Sequence, residues 1–124
     1  MSVIKEGLLY ARTHEWVNID GETATVGVSD FAQKQLTDVV YVDLPDLNRK
    51  VFAGKPMLTV ESVKSAEDVF SPVDGTVIEV NRALDDKPEL INRDPYNSWL
   101  VKIRLDSKPS GLMSPEEYRK FIGE

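Results

Sequence analysis

Apolar and polar residues alternate along much of this chain, with the period of two that is typical of half-buried β-strands. The clearest alternation covers residues 15–28 and is interrupted at Asp20-Gly21. Apolar side chains fall on one face on both sides of that dipeptide: Val17, Ile19, Ala24, Val26 and Val28. Because Gly readily adopts the positive φ of a tight turn, this segment is predicted to be a β-hairpin.

Further short runs are rich in β-branched residues and are separated mostly by Pro or Gly. They cover residues 38–44, 57–62, 67–71, 76–81 and 99–105. Asp74-Gly75 predicts another tight turn, with Gly75 at positive φ. Strands this short and this frequent favour a sandwich or a barrel, whose second layer or closure covers exposed sheet edges.

Helix signals interrupt the strand pattern at two places. Asp30 is predicted to cap a short helix that runs through Gln35, with Gln33 at the reciprocal third position. Residues 114–117, Ser-Pro-Glu-Glu, combine a capping box with Pro at the first helical position. An apolar stripe at helical spacing follows: Tyr118, Phe121 and Ile122. We therefore expect an amphipathic C-terminal helix that docks on the sheets.

A faint internal repeat relates the two halves of the strand pattern. Residues 38–42 followed by 50–62 resemble residues 75–80 followed by 87–103. If the repeat holds, residues 63–66 lie at its centre, in a hairpin between two sheets. Lys64 would then stand at the tip of that hairpin.

Composition narrows the functional classes. The chain has 124 residues and a net charge of −6, from 15 basic and 21 acidic residues, which disfavours nucleic acid as a partner. It has no Cys and only one His, which excludes disulfides, thiol chemistry and multi-His metal sites within the chain. No apolar run approaches membrane-spanning length, so no membrane partner is expected. The N-terminal residues show no targeting pattern, and we expect a cytoplasmic prokaryotic protein with one domain over residues 1–124.

A search for catalytic groups finds little. His14 and Glu15 are neighbours on a predicted strand, where adjacent side chains point to opposite faces, so they are not expected to form an acid–base pair. No phosphate-binding loop, nucleophile elbow or calcium loop is present, and Asp85, Asp86 and Glu89 are expected to be a solvated loop. We therefore expect no enzyme activity and no metal site.

Lys64 differs from the other lysines because strand-like runs flank it and its turn contains neither Gly nor Pro. The residues alone leave two possibilities open. Either the turn presents Lys64 for a functional role, or Lys64 is a solvated charge that Glu61, Glu67 and Asp68 screen.

Residues 61–64, Glu-Ser-Val-Lys, resemble the lipoylation signature of the H protein family of the glycine cleavage system. Other landmarks of that family occur in the same order along essentially the whole chain. They are residues 13–16, 27–33 and 38–45 before the lysine, and 71–75, 79–81, 90–92, 94–96 and Trp99 after it. The chain departs from the family pattern at Gln35, Thr37 and Glu67, and in a shorter loop at Asn97-Ser98.

The resemblance implies a hybrid barrel-sandwich of two small antiparallel sheets, of the lipoyl/biotinyl type, with a short internal helix and a C-terminal amphipathic helix. The lipoyl-like core would cover about residues 22–104, with the two termini as extensions. It further implies that lipoate is joined as an amide to Lys64, with Glu61, Ser62 and Val63 as the recognition motif.

The resemblance also implies a set of partners. A lipoate ligase or a lipoyl/octanoyl transferase would modify the lysine. The arm would then visit PLP-dependent glycine decarboxylase, a tetrahydrofolate-dependent aminomethyltransferase and dihydrolipoamide dehydrogenase. The chain would be a monomeric carrier with no catalytic residue of its own.

The same resemblance implies a cleft that shields the loaded arm from water. Thr13, His14, Glu15, Gln35 and Asp68 would line that cleft. Glu15 or Asp68 would hold the protonated amine of the cargo through a charge-assisted hydrogen bond. The alternative for both carboxylates is a solvated position at the end of a strand.

Other functions fit parts of the pattern. A lipoyl or biotinyl domain of another multienzyme complex would be shorter and would carry different residues beside its lysine. An H-like lipoate-relay protein would pass lipoyl groups to other enzymes. An interaction module built on a β-sandwich would leave Lys64 unmodified.

Overall fold

The computed structural model of this chain describes residues 1–124, which form nine strands and four helices. The strands are β1 (Leu9–Tyr10), β2 (Glu15–Asp20), β3 (Thr23–Val28), β4 (Val39–Asp43), β5 (Lys50–Val51), β6 (Pro56–Ser62), β7 (Ala66–Phe70), β8 (Gly75–Val80) and β9 (Val101–Leu105). The helices are α1 (Asp30–Leu36), α2 (Ala83–Asp86), α3 (Leu90–Arg93) and α4 (Pro115–Phe121). The strands predicted from the alternation are confirmed to within about two residues at each end.

Two antiparallel sheets face each other, which confirms the predicted fold class. One sheet has six strands in the order β1-β2-β3-β9-β8-β5, and the other has three in the order β4-β6-β7. The main core consists of aliphatic side chains from both sheets, together with Leu36 of α1, Leu84 of α2 and Ile91 of α3. None of the helices has the length and apolar character that crossing a membrane requires.

The hairpin predicted around Asp20-Gly21 is confirmed. Asp20 pairs with Thr23, so Gly21 and Glu22 form a two-residue turn between β2 and β3. Gly21 has a φ of +61°, the conformation for which Gly is suited. Val17 and Val26 are an opposed pair of this hairpin, and both are completely buried.

The structure corrects the predicted position of the Lys64 hairpin. Instead of lying between the two sheets, the hairpin joins β6 to β7 within the three-stranded sheet, and its last pair is Glu61 with Ala66. Residues 62–65 therefore form a tip at one end of that sheet. The internal repeat survives only as two similar strand pairs, β4 with β6 and β8 with β9.

The predicted cap of α1 is also corrected. Ser29 is the N-cap residue, and its Oγ accepts a hydrogen bond from the Ala32 amide at 3.1 Å. Asp30 is the first helical residue, and the side-chain amide of Gln33 donates to its carboxylate at 2.8 Å. The predicted cap lies one residue too late because Ser and Asp are both strong capping residues and are adjacent here.

The capping box of α4 is confirmed. The Glu117 amide donates to Ser114 Oγ at 3.2 Å, and the Ser114 amide donates to Glu117 Oε1 at 2.9 Å. Helix α4 docks through Tyr118, whose ring stacks on that of Tyr10 with centroids 4.5 Å apart. This stack belongs to a second apolar cluster with Ile4, Leu8, Trp16 and Met113. Helices α2 and α3, of four residues each, were not predicted because one turn is too short to show helical periodicity.

The prediction of a positive φ at Gly75 is wrong, because Gly75 begins β8 in extended backbone. A glycine is required there for another reason. A Cβ on Gly75 would lie 2.2 Å from the carbonyl oxygen of Arg104 and 2.5 Å from Ile103 Cγ2 on the neighbouring strand β9. The residue type thus follows from the close approach of two strands.

We expect Gly75→Ala to lower the free energy of unfolding by about 1–3 kcal/mol, because the added methyl group forces β8 and β9 apart. Urea unfolding measures the loss. Ile78→Ala, at an exposed position of the same strand, is the control and is expected to change stability by about 0.5 kcal/mol or less. A Gly75→Ala variant as stable as the wild type would show that the strands do not approach this closely.

Candidate functional site

Ser62 builds the turn that presents Lys64. Its Oγ accepts hydrogen bonds from the amides of Lys64 and Ser65, both at 3.2 Å, and its own amide donates to the Ser65 carbonyl at 2.8 Å. The Val63 amide donates to the Asp38 carbonyl at 3.0 Å, which ties the tip to the start of β4. A turn without Gly or Pro is thus held by one buried serine.

Lys64 itself is exposed, and its ammonium is directed to the end of α1. Lys64 Nζ donates to the backbone carbonyl of Gln35 at 2.7 Å. The last carbonyls of a helix lack partners inside the helix and attract cations. The contact therefore brings the lysine of the β6–β7 hairpin against α1.

A cleft of about 250 Å³ opens beside this contact. Every residue predicted to line an arm-binding cleft lies along it together with Lys64: Thr13, His14, Glu15, Gln35 and Asp68. Its remaining walls are mostly apolar and come from Val28, Ala32, Leu36 and Val69. The residues that the family resemblance implied thus lie along one cleft, while their role toward an arm stays a prediction.

A larger cavity of about 550 Å³ lies at the other end of β2 and β3, beside the turn residues Gly21 and Glu22. None of the predicted site residues lines it. The lysine that lines this cavity is Lys108, which follows β9 and lies outside the motif of residues 61–64.

The backbone before β2 brings three consecutive side chains to the cleft. His14 has a φ of +77°, which is uncommon for a residue with a side chain, and its amide donates to the Ala11 carbonyl at 3.0 Å. This turn interrupts the strand alternation. His14 and Glu15 both line the cleft, but their side chains have different partners, Tyr118 for His14 and Thr13 for Glu15, and no hydrogen bond joins them.

Glu15 is the unusual group of the cleft. The residue is only 2% exposed, although carboxylates are almost never buried without a partner. Thr13 Oγ1 donates to one carboxylate oxygen, and the Phe70 amide approaches the other at 3.4 Å. Burial raises the pKa of Glu15 to about 7, and the hydrogen bonds from Thr13 and Phe70 lower it in part. The solvated alternative is therefore wrong for Glu15.

Asp68 differs from Glu15 in being exposed at the rim. Strand alternation in β7 places Glu67 and Val69 on one face and Asp68 on the other, where it pairs with Thr59. Asp68 also borders a groove on the outer face of the three-stranded sheet, beside Arg49. The solvated alternative thus describes its surroundings better than it does those of Glu15.

His14 is half-buried, and its Nδ1 lies 2.9 Å from the hydroxyl of Tyr118. Burial lowers its pKa, so the imidazole is neutral at neutral pH. A neutral ring held by a tyrosine is a structural element of the wall. No group of three or more His, Asp or Glu side chains is arranged to hold a metal ion.

Sequence reasoning missed three contributors to the cleft. Glu67 lines it directly, and Ser29 and Tyr118 hold its walls from behind. In the sequence pattern, Glu67 is only a carboxylate that could screen Lys64 and a departure from the family pattern. The contact of Tyr118 with Ser29 spans 89 positions in sequence, so no local pattern could have predicted it.

Two small antiparallel sheets that present one lysine at the tip of a hairpin define the lipoyl/biotinyl-type barrel-sandwich. Comparison with known proteins specifies the class further. The family described as glycine cleavage H-protein matches residues 8–124. The chain belongs to the glycine cleavage H-protein family.

Relatives support this assignment over the full length. The chain is 56% identical over 124 residues to the probable glycine cleavage system H protein of Picrophilus torridus, covering all of both chains. It is 50% identical over 125 residues to the glycine cleavage system H protein of Rubrobacter xylanophilus, covering 100% of this chain and 98% of the relative. The crystal structure of a glycine cleavage system H protein from Mycobacterium marinum matches with a TM-score of 0.91 and 33% identity, covering 98% of this chain and 100% of that one.

We expect Glu15→Gln to be more stable than the wild type at about pH 8, by of the order of 1–3 kcal/mol. The folded-state pKa of about 7 lies above the ordinary 4.5, so the wild type loses stability as pH rises between these values. The neutral amide avoids this loss, and the difference should shrink toward about pH 5. Urea unfolding across this pH range measures it.

Asp68→Asn, at an exposed carboxylate, is the matched control and should stay close to the wild type throughout. A difference between Glu15→Gln and the wild type that does not change with pH would contradict the raised pKa.

Proposed function

We propose that this chain is a lipoyl carrier of glycine cleavage, with lipoate joined as an amide to Lys64. The observation that carries the proposal is the juxtaposition of Lys64, on its serine-held turn, with a cleft that the buried residue Glu15 lines. Membership of the glycine cleavage H-protein family supports it. Within the proposal, Glu61, Ser62 and Val63 are the motif that the modifying enzyme recognises.

The residues around Lys64 suit such an arm. Acylation removes the positive charge of Nζ but leaves one N–H, which can still donate to the Gln35 carbonyl that Nζ now contacts at 2.7 Å. The apolar side chains of Val28, Leu36 and Val69 offer a surface for a hydrocarbon chain. When bound, lipoate supplies a disulfide that is reduced as it accepts the cargo and is later reoxidised.

The cargo of the proposed reaction is the aminomethyl group of glycine, which carries a protonated amine. Glu15 is the group in the cleft best placed to hold that amine, because a charge-assisted hydrogen bond is stronger where water is excluded. Thr13 and the Phe70 amide orient the Glu15 carboxylate for this contact. An arriving cation favours the ionised carboxylate, so the pKa of Glu15 falls from about 7 when the cargo docks.

The proposal includes the partners that the family resemblance implies. A lipoate ligase or a lipoyl/octanoyl transferase modifies Lys64. PLP-dependent glycine decarboxylase loads the arm, an aminomethyltransferase unloads it onto tetrahydrofolate, and dihydrolipoamide dehydrogenase reoxidises it. The chain contributes no catalytic residue, and the prokaryotic cytoplasm is the proposed compartment.

Lys64→Arg is expected to abolish lipoylation and support of glycine cleavage, and to change the free energy of unfolding by no more than about 0.5 kcal/mol. Arg keeps the charge but cannot form the amide. Peptide mass spectrometry of protein from the native host detects the lipoyl increment, and Lys55→Arg, another exposed lysine, is the control.

Lipoate on the Lys64→Arg variant, or on a different lysine of the wild type, would refute the attachment site. An assay with the three partner enzymes separates glycine cleavage from lipoate relay. A lipoylated wild type that the three enzymes do not load would contradict the proposed function.

Glu15→Gln should also shorten the lifetime of the loaded arm, because the amide removes the charge-assisted contact. We expect hydrolysis of the cargo at about pH 8 to be about tenfold faster than in the wild type, and the wild type to protect its cargo better at about pH 8 than at about pH 6. Release of ammonia and formaldehyde from loaded protein, in the absence of partner enzymes, measures the rate. Glu67→Gln and Asp68→Asn are controls, and equal rates in all three variants would leave Glu15 without a special role.

A further inference from the structure

The hydroxyl of Tyr118 joins two elements that form the cleft. Tyr118 lies in α4 and is 0% exposed. Its hydroxyl oxygen is 2.9 Å from Nδ1 of His14, which lines the cleft, and 2.8 Å from Oγ of Ser29, which caps α1. Helix α4 does not line the cleft itself, so any influence on it passes through this hydroxyl or through packing.

The available donors and acceptors decide which group donates each hydrogen bond of this network. Ser29 Oγ already accepts the Ala32 amide, and its own hydrogen has no acceptor other than the Tyr118 oxygen. A buried hydroxyl hydrogen without an acceptor is costly, so Ser29 donates to Tyr118. Tyr118 then donates to His14 Nδ1, and the proton of the neutral imidazole lies on Nε2.

Two further observations agree with this assignment. Burial raises the pKa of Tyr118 and lowers that of His14, so the phenol keeps its hydrogen and the imidazole stays neutral. The ring centroids of Phe31, in α1, and Phe121, in α4, lie 4.7 and 6.0 Å from that of His14. These two contacts hold the imidazole between the two helices. A proton on Nδ1 would make Tyr118 accept from His14 and would leave the hydrogen of either Ser29 or Tyr118 without an acceptor.

The N-terminal segment holds the same end of α1. The Val3 amide donates to Asp30 Oδ2 at 2.7 Å, and the Asp30 amide donates to the Tyr96 hydroxyl at 3.2 Å. Helix α1 is seven residues long, and its far end carries the Gln35 carbonyl that meets Lys64. A shift at its first turn is therefore transmitted to the arm-bearing lysine.

We propose that the Tyr118 hydroxyl is a positioning group for the arm-binding cleft, which fixes the imidazole of His14 and the first turn of α1. The positioning role rests on the proposed function only in that the cleft is taken to bind the arm. It gives the C-terminal helix, an extension beyond the predicted lipoyl-like core, a direct part in protecting the cargo.

The chain offers a closely matched pair of variants. Tyr118→Phe removes the hydroxyl and keeps the ring that stacks on Tyr10. Tyr10→Phe removes the other hydroxyl of the stack, which is equally buried and donates to the Lys5 carbonyl at 2.8 Å, away from the cleft. Tyr118→Phe loses two hydrogen bonds and Tyr10→Phe loses one, so the cargo lifetime of each variant is compared with its own loss of stability.

The single histidine of the chain gives an unambiguous NMR signal. In the wild type, the ¹⁵N shifts of His14 should show the hydrogen on Nε2. Tyr118→Phe should mix the two tautomers, because Nδ1 loses its donor. Tyr10→Phe should leave the tautomer unchanged. The cargo on the loaded protein should hydrolyse about fivefold faster in Tyr118→Phe and within about twofold of the wild type in Tyr10→Phe.

The proposal is overturned if Tyr118→Phe and Tyr10→Phe give the same His14 signal and the same cargo lifetime. It is also overturned if both variants shorten that lifetime in step with their loss of stability, which is the mark of a merely structural role. Should Tyr118→Phe fail to fold, the wild-type tautomer decides, and a proton on Nδ1 contradicts the proposal. A wild-type cargo that hydrolyses as fast as on free lipoamide instead contradicts the proposed docking, and the histidine signals then test the positioning alone.

Discussion

The buried carboxylate of Glu15 is the constraint on which the cleft depends. With 2% exposure it receives almost no water, and burial of this kind raises its pKa to about 7. Its two donors come from different parts of the chain, Thr13 before β2 and the Phe70 amide at the end of β7. The six-stranded and three-stranded sheets therefore meet at this group, and a cation entering the cleft would relieve the cost of burying it.

Lys64 and Glu15 together make the site asymmetric in charge. In the unmodified chain, the ammonium of Lys64 rests on the Gln35 carbonyl at the mouth of the cleft. The proposed acylation would remove that cation while Glu15, Glu67 and Asp68 remain around the cleft, so the modified protein would favour a positively charged cargo over a neutral one. Such selectivity would suit a carrier whose cleft holds its cargo between encounters without changing it chemically.

Local patterns predicted most of the fold, and long-range contacts account for the errors. The alternation predicted the strands because one face of each strand is buried. The capping box at Ser114 predicted the start of α4. The sequence pattern predicts Gly75 in a turn with positive φ. A glycine is needed there instead because the carbonyl oxygen of Arg104, on a strand that is distant in sequence, lies too close for a Cβ. In the site, the resemblance indicated residues that the fold brings to one cleft, but only tertiary structure shows that Glu15 is buried, that Asp68 is exposed and that Tyr118 reaches His14.

The most direct test of the central claim is a crystal structure of the lipoylated protein loaded with the aminomethyl group. We predict that the arm lies in the cleft along Val28, Leu36 and Val69. Its amine should lie within hydrogen-bonding distance of Glu15, and its amide nitrogen should remain at the Gln35 carbonyl. An arm that extends into solvent, or whose amine contacts neither Glu15 nor another carboxylate of the cleft, would contradict the account.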